Sequence, residues 1–187
     1  MTDMISFPHI IKAAVTAVTM ALPAVSVAQD RLSNLMAELR VAPGDVEANR
    51  IAGEIELLWR QSGSATADFL LKRGQDAVER GDEMAALDHF SALIDHAPEF
   101  TEGWVSRASL LLSMEKFGQA LSDIEHALAL NPQHYEAIFG LGVILELIGR
   151  PKDAYEALEL VRSIHPHYPD LTDVMTRLEP LAKGQAL

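Results

Sequence analysis

Apolar residues in the second half of the chain recur at i, i+4, i+7 and i+8. One stretch carries Trp104, Ala108, Leu111 and Leu112, and the next carries Ala120, Leu121, Ile124, Ala127 and Leu128 in the same rhythm. This spacing lays the apolar side chains along one stripe of an α-helix, so the two stretches predict a pair of amphipathic helices of about 14 residues each. Arg80-Gly81-Asp82, Glu115-Lys116-Phe117-Gly118 and Gly149-Arg150-Pro151 mark breaks between helices, where glycine ends one helix and proline opens another.

The helix pair is repeated. Pro98, Pro132 and Pro166 lie 34 residues apart, as do Ala86, Ala120 and Ala154. Gly74, Ala108 and Gly142 keep a small residue in the same phase, while Leu70, Trp104 and Ile138, and Leu93, Ala127 and Val161, supply apolar columns. Five columns in register over three copies define units at 67–100, 101–134 and 135–168. The prolines stop the second helix of each unit. The small residues let paired helix axes approach closely, so Ala120→Leu should cost about 1 to 3 kcal/mol by overpacking.

Both flanks predict further helices. Leu32, Leu35, Met36 and Leu39 define a short one, and Ile51, Ile55, Leu58 and Trp59 a longer one, with Ala42-Pro43-Gly44-Asp45 as the turn between them. Ala52 lies 34 residues before Ala86, so 29–66 reads as an N-terminal capping pair or a degenerate repeat. Leu171, Val174, Met175 and Leu178 predict a final helix in 169–187 that covers the apolar face of the third unit. Stacked repeats need such caps because no unit buries its hydrophobic side alone.

These residues resemble the tetratricopeptide repeat (TPR) family. The second unit matches best, through Trp104, Ala108, Ala120, Ala127 and the ending Asn131-Pro132; the third has Gly142, Ala154, Tyr155 and Pro166, and the first has Gly74, Ala86, Phe90 and Pro98. Leu93 and Val161 stand where the family favours a small residue, and Arg73 and Arg107 where it favours an apolar one. The resemblance implies an all-α, right-handed superhelical solenoid of helix-turn-helix units, with capping helices at both ends. It also implies a concave groove lined by the first helix of each unit: Leu71, Gln75 and Val78, then Val105, Ser109 and Leu112, then Phe139, Val143 and Glu146. Leu71, Val105 and Phe139 would form an apolar stripe across the three units. The family's carboxylate-binding groove needs lysine, arginine and asparagine where this chain has Leu71, Gln75, Ser106, Glu136 and Gly140, so an apolar or amphipathic segment is the expected ligand. The alternative is that these residues only pack against neighbouring helices or the terminal caps.

The first 28 residues change the length that has to fold. A largely apolar stretch, Ala13 to Leu22, follows Lys12, and Ser26 and Ala28 supply small residues before a cleavage site. This predicts an export signal peptide over 1–28, cut after Ala28, and a periplasmic or secreted chain beginning at Gln29. A bilayer span takes roughly 20 apolar residues, about twice the stretch available, so a permanent membrane anchor is not expected. An uncleaved amphipathic tail is the competing reading, since Asp3 offsets Lys12.

Composition removes several chemistries. The 187 residues include no cysteine, which excludes disulfides, thiolate metal sites and cysteine nucleophiles. A net charge of −12 without a basic cluster counts against nucleic acid as a partner. Histidines 96, 126, 134, 165 and 167 fall near the ends of second helices, where a shared rim would form. No metal-binding motif accompanies them, so no metal, cofactor or catalytic residue is assigned. Gly140-Leu141-Gly142 lies inside a helix rather than in a phosphate loop, and Gly140 implies close approach of a ligand or of Trp104. The sequence therefore points to a non-catalytic adaptor or assembly factor binding a protein or peptide partner. A metal-dependent accessory protein or enzyme using the histidine rim, and a structural homodimer built around Trp59, are its rivals.

Overall fold

The computed structural model describes residues 22–184. Among them the chain is entirely helical between its turns: α1 (Leu22–Arg40), α2 (Asp45–Trp59), α3 (Ala65–Glu79), α4 (Glu83–His96), α5 (Thr101–Ser113), α6 (Phe117–Leu130), α7 (Tyr135–Leu147), α8 (Pro151–Ile164) and α9 (Leu171–Ala182). No helix among these residues is long and apolar enough to cross a membrane. Most of the leader expected over 1–28 lies outside the described residues, as does the end of the C-terminal tail. Helix α1 runs through the expected cleavage point, and beyond it buries Leu35, Met36 and Leu39.

Pairs α3–α4, α5–α6 and α7–α8 are the antiparallel helix pairs of the repeat, and α4 packs on α5 and α6 on α7 to stack them. Local chemistry sets the helix starts. Ser64 and Asp82 cap α3 and α4 by accepting the N–H of Ala67 and of Ala85, and Pro151 opens α8 with its preset φ. Between the helices of each pair the backbone turns left-handed at one repeat phase, with φ of 71° at Gly81, 58° at Glu115 and 79° at Gly149. Glycine adopts this conformation freely; Glu115 does so against the steric cost of its Cβ.

The small-residue columns mark the closest helix contacts. A Cβ on Gly74 would overlap the Phe90 ring, and one on Gly142 would lie 2.9 Å from Leu158 Cδ2. The neighbour of Gly140 is Ile124, whose Cδ1 would be 3.1 Å from an added Cβ, rather than Trp104. Trp104 instead donates its indole N–H to the Pro98 carbonyl (2.8 Å) and stacks on His126. Arg107, the departure from the family's apolar residue, is explained by a bidentate pair with buried Asp123 at 2.7 and 2.8 Å, and by its position over the Trp104 ring.

At the C-terminal end α9 covers α8 as expected, burying Leu171, Met175 and Leu178. The N-terminal pair departs from expectation. Leu35, Met36, Leu39, Ala48, Ile51, Ala52 and Ile55 share a core with α7, α8 and α9, and not with the first unit, whose core is built from α3, α4 and Leu110. The α1–α2 hairpin thus folds across to the third unit. Trp59 stacks on His134 at 4.1 Å, Glu56 meets the Tyr135 hydroxyl at 3.5 Å, and His167 reaches Asp45 at 2.7 Å and the Ala42 carbonyl at 3.1 Å. As a result, the face of α3 that would receive a preceding unit is bare. Phe69 is 61% exposed, while the residues at its repeat phase, Gly103 and Ala137, are buried.

Candidate functional site

A cavity of about 550 Å³ opens on the inner face of the stacked pairs. Helix α3 contributes Gln75, Val78 and Glu79, α5 contributes Glu102, Val105, Ser106, Ser109, Leu110 and Ser113, and α7 contributes Glu136; Phe90 and Arg60 complete the wall. The first helices of three units line it because 3.6 residues per turn bring positions separated by three or four to one face. Of the nine groove residues expected from the sequence, Gln75, Val78, Val105 and Ser109 meet in this cavity.

The other five lie elsewhere. Leu71 is 4% exposed and belongs to the first unit's core, and Leu112 packs beside Ala108 and Ala120. Phe139 lies against the core shared with the hairpin, its ring 4.7 Å from that of Tyr168. Glu146 pairs with Arg177 of α9 at 2.9 Å, and Val143 is half-buried. The expected apolar stripe is therefore not an open surface. Leu71 is sealed, Val105 is only 7% exposed, and Phe139 is committed to Tyr168 and its neighbours. These side chains lie where the chain's own helices converge, and burial of apolar area is satisfied within the molecule.

What the cavity offers instead is a mixed wall, in which polar and charged side chains are set among apolar ones. Its charged residues are Glu79, Glu102 and Glu136 against a single base, Arg60, and Arg60 also faces Glu56 at 3.5 Å. Glu102 is 6% exposed, and its side-chain hydrogen bond among the described residues comes from His134 Nε2 at 2.9 Å. His134 is fully buried and caps α7, its Nδ1 facing the Ala137 N–H at 3.4 Å. Burial holds the Glu136 carboxyl above its ordinary range, and the carboxylates of Glu56 and Glu102 push it the same way against the opposing pull of His134.

Ligand atoms of Glu102, His134 and Glu136 lie within 4.8 Å of one another, a compact arrangement for a cation. His134 Nε2 is already engaged by Glu102 at 2.9 Å. The other histidines have separate duties. His126 stacks on Trp104, His96 Nε2 lies 3.3 Å from the Ser64 hydroxyl, and His167 ties down the α1–α2 turn. His165 sits edge-on to Tyr135 and Tyr168. Trp59, proposed above as a dimer contact, is engaged within the chain by His134 and Tyr135.

Glu102 was missed as a groove residue, and Glu136 was read only as a departure from the family's carboxylate-binding groove, although the signal was present. Asp68, Glu102 and Glu136 form a 34-residue column of acids in the first turn of each unit's first helix. Acids there also suit the positive end of the helix dipole, so the column reads as helix stabilisation until the cavity shows what two of them face.

Comparison with known proteins follows the same lines. The family model described as tetratricopeptide repeat matches residues 111–178. A TPR repeat-containing protein of Rhizobium etli is 35% identical over 138 residues, which is 74% of this chain and 68% of the relative. Among solved structures, the first TPR of Spaghetti bound to an HSP90 peptide superposes with a TM-score of 0.62 at 23% identity, covering 64% of this chain and 95% of that one. The TPR2B domain of yeast Sti1 in its Hsp70 complex gives 0.58 at 21% identity, covering 66% of this chain and all of that one. At such identities the structural likeness speaks to the fold.

Proposed function

The chain belongs to the tetratricopeptide repeat family, and on that premise we propose that it is a non-catalytic adaptor or assembly factor that holds a segment of a protein partner in its inner cavity. The observation that carries this reading is the 550 Å³ cavity, walled by the first helices of three successive units and containing Gln75, Val78, Val105 and Ser109. Two solved relatives of the same fold are described with peptides of partner proteins, which supports a peptide as the class of ligand. The wall mixes apolar Val78, Val105 and Leu110 with serines and acids, so it suits an amphipathic segment better than a wholly apolar one. The site of action proposed is the periplasm, on the strength of the leader features of residues 1–28.

Photo-crosslinking in cells tests the groove. A photoreactive residue at Ser109, in the cavity, should capture a discrete partner, whereas one at Glu125, exposed on α6, should not. Equal capture from both positions, or none from Ser109, would remove the cavity from consideration. Fractionation of the same cells tests the compartment, with the processed chain expected in the periplasmic fraction.

A further inference from the structure

We propose that His167 is a charge-dependent latch, which fastens the α1–α2 hairpin to the third unit while its ring is an imidazolium and loosens the hairpin when the ring loses its proton. The latch is read from the partners of the two ring nitrogens. Nδ1 lies 2.7 Å from a carboxylate oxygen of Asp45, the first residue of α2, and Nε2 lies 3.1 Å from the Ala42 carbonyl in the turn before it. An ionised carboxylate and a carbonyl only accept, so both contacts are hydrogen bonds only when both nitrogens carry a proton. Either neutral tautomer sets a nitrogen lone pair against an oxygen lone pair, at Asp45 or at Ala42. His134, the other histidine that touches the hairpin, has no such requirement, because its Nδ1 faces the N–H of Ala137.

The latch sits where the hairpin needs one. Trp59 holds the far end of α2 by stacking on His134, and His167 holds the near end together with the turn. Asp45 favours the imidazolium, while the positive end of α2 and His165, two residues back at the end of α8, oppose it. Asp170 heads α9 three residues on, and Arg40, the last residue of α1, is turned to Gln133 at 3.5 Å. Burial pushes the pKa of His165 down to about 4, so between pH 5 and 8, where histidines ordinarily change charge, it adds no competing cation. The fastened state holds the imidazolium, so the latch contributes where the ring is protonated and is lost as pH rises. Its Coulomb part is small, since Asp45 is 81% exposed, and its specificity lies in the pair of acceptors. Arg60, just beyond α2, stands in the wall of the inner cavity, so a loosened hairpin also withdraws that guanidinium from the groove.

The test is amide exchange of the full chain at pH 5.5 and 7.5, each rate divided by the intrinsic rate at the same pH. Protection of α1 and α2 should fall about fivefold at the higher pH, the loss expected for one hydrogen bond from a partly exposed charged group, while α3 and α4 keep theirs. In His167→Gln the protection of α1 and α2 should be equal at the two pH values, because glutamine donates without titrating. His126→Gln, at the exposed ring beside Trp104, should keep the fivefold change. A pH dependence that persists in His167→Gln would assign the effect to another group and overturn the latch. Equal protection of the parent chain at both pH values would also overturn it, as would a fall shared by α3 and α4, which would mark a change in the stability of the whole molecule.

Discussion

At position 165 the repeat carries histidine where the preceding units have Ala97 and Asn131, and the ring is buried with its Nδ1 unpaired. Burial lowers its pKa from 6.5 to about 4, with nearby His167 adding to the effect. The folded chain therefore holds the neutral ring while the unfolded chain takes up a proton, so this residue's contribution to stability is present above pH 6.5 and is lost as pH falls toward 4. His165→Asn, which restores the residue of the second unit, should flatten that dependence. The check is the difference in melting midpoint between variant and parent at several pH values. It should move in favour of the variant as pH drops from 7 to 4, since carboxylate titration is common to both; a constant difference would contradict the assignment.

At the scale of the element, the turns between paired helices show how much one backbone angle asks of a residue. Gly81 and Gly149 meet the left-handed requirement at no steric cost, but Glu115 holds a φ of 58° with a side chain attached. Glu115→Gly should stabilise the α5–α6 turn by about 1 kcal/mol, read as a rise in the denaturation midpoint at unchanged slope. The helices themselves were legible, since the apolar spacing and the 34-residue columns predicted α3 to α8 with their breaks in place. The short helix expected around Leu32 to Leu39 is longer in the fold, running from Leu22 to Arg40. Arg107 was legible only as a departure. Its partner Asp123 lies 16 residues away on the next helix, a pairing that helical phase alone does not select.

For the whole molecule, the placement of the α1–α2 hairpin has the widest consequences. It ties the chain's N-terminal region to its third unit through Trp59, His134 and Tyr135, and it leaves α3 without a preceding helix. Trp59→Ala should cost about 2 kcal/mol, below the usual range for a fully buried aromatic truncation because the ring is only half-buried. Amide exchange should show lost protection in α1 and α2 with α3 and α4 unchanged; deprotection of α3 would mean that the hairpin caps the first unit after all.

The groove was legible only in part, for a physical reason. Repeat phase determines which residues face inward, and so brought Gln75, Val78, Val105 and Ser109 together, but inward-facing residues at the third unit are covered by elements far away in sequence. The sequence by itself determined the helices, their period, the closely packed glycine and alanine columns and the final helix, because each depends on spacing within one unit or between neighbours. Tertiary structure alone decided where the N-terminal hairpin lies, that Leu71 and Phe139 are withdrawn from the cavity, and that Glu102 and Glu136 face it with little positive charge to balance them. Those outcomes depend on contacts spanning the chain and on the desolvation they impose, and neither is written in any local pattern of residues.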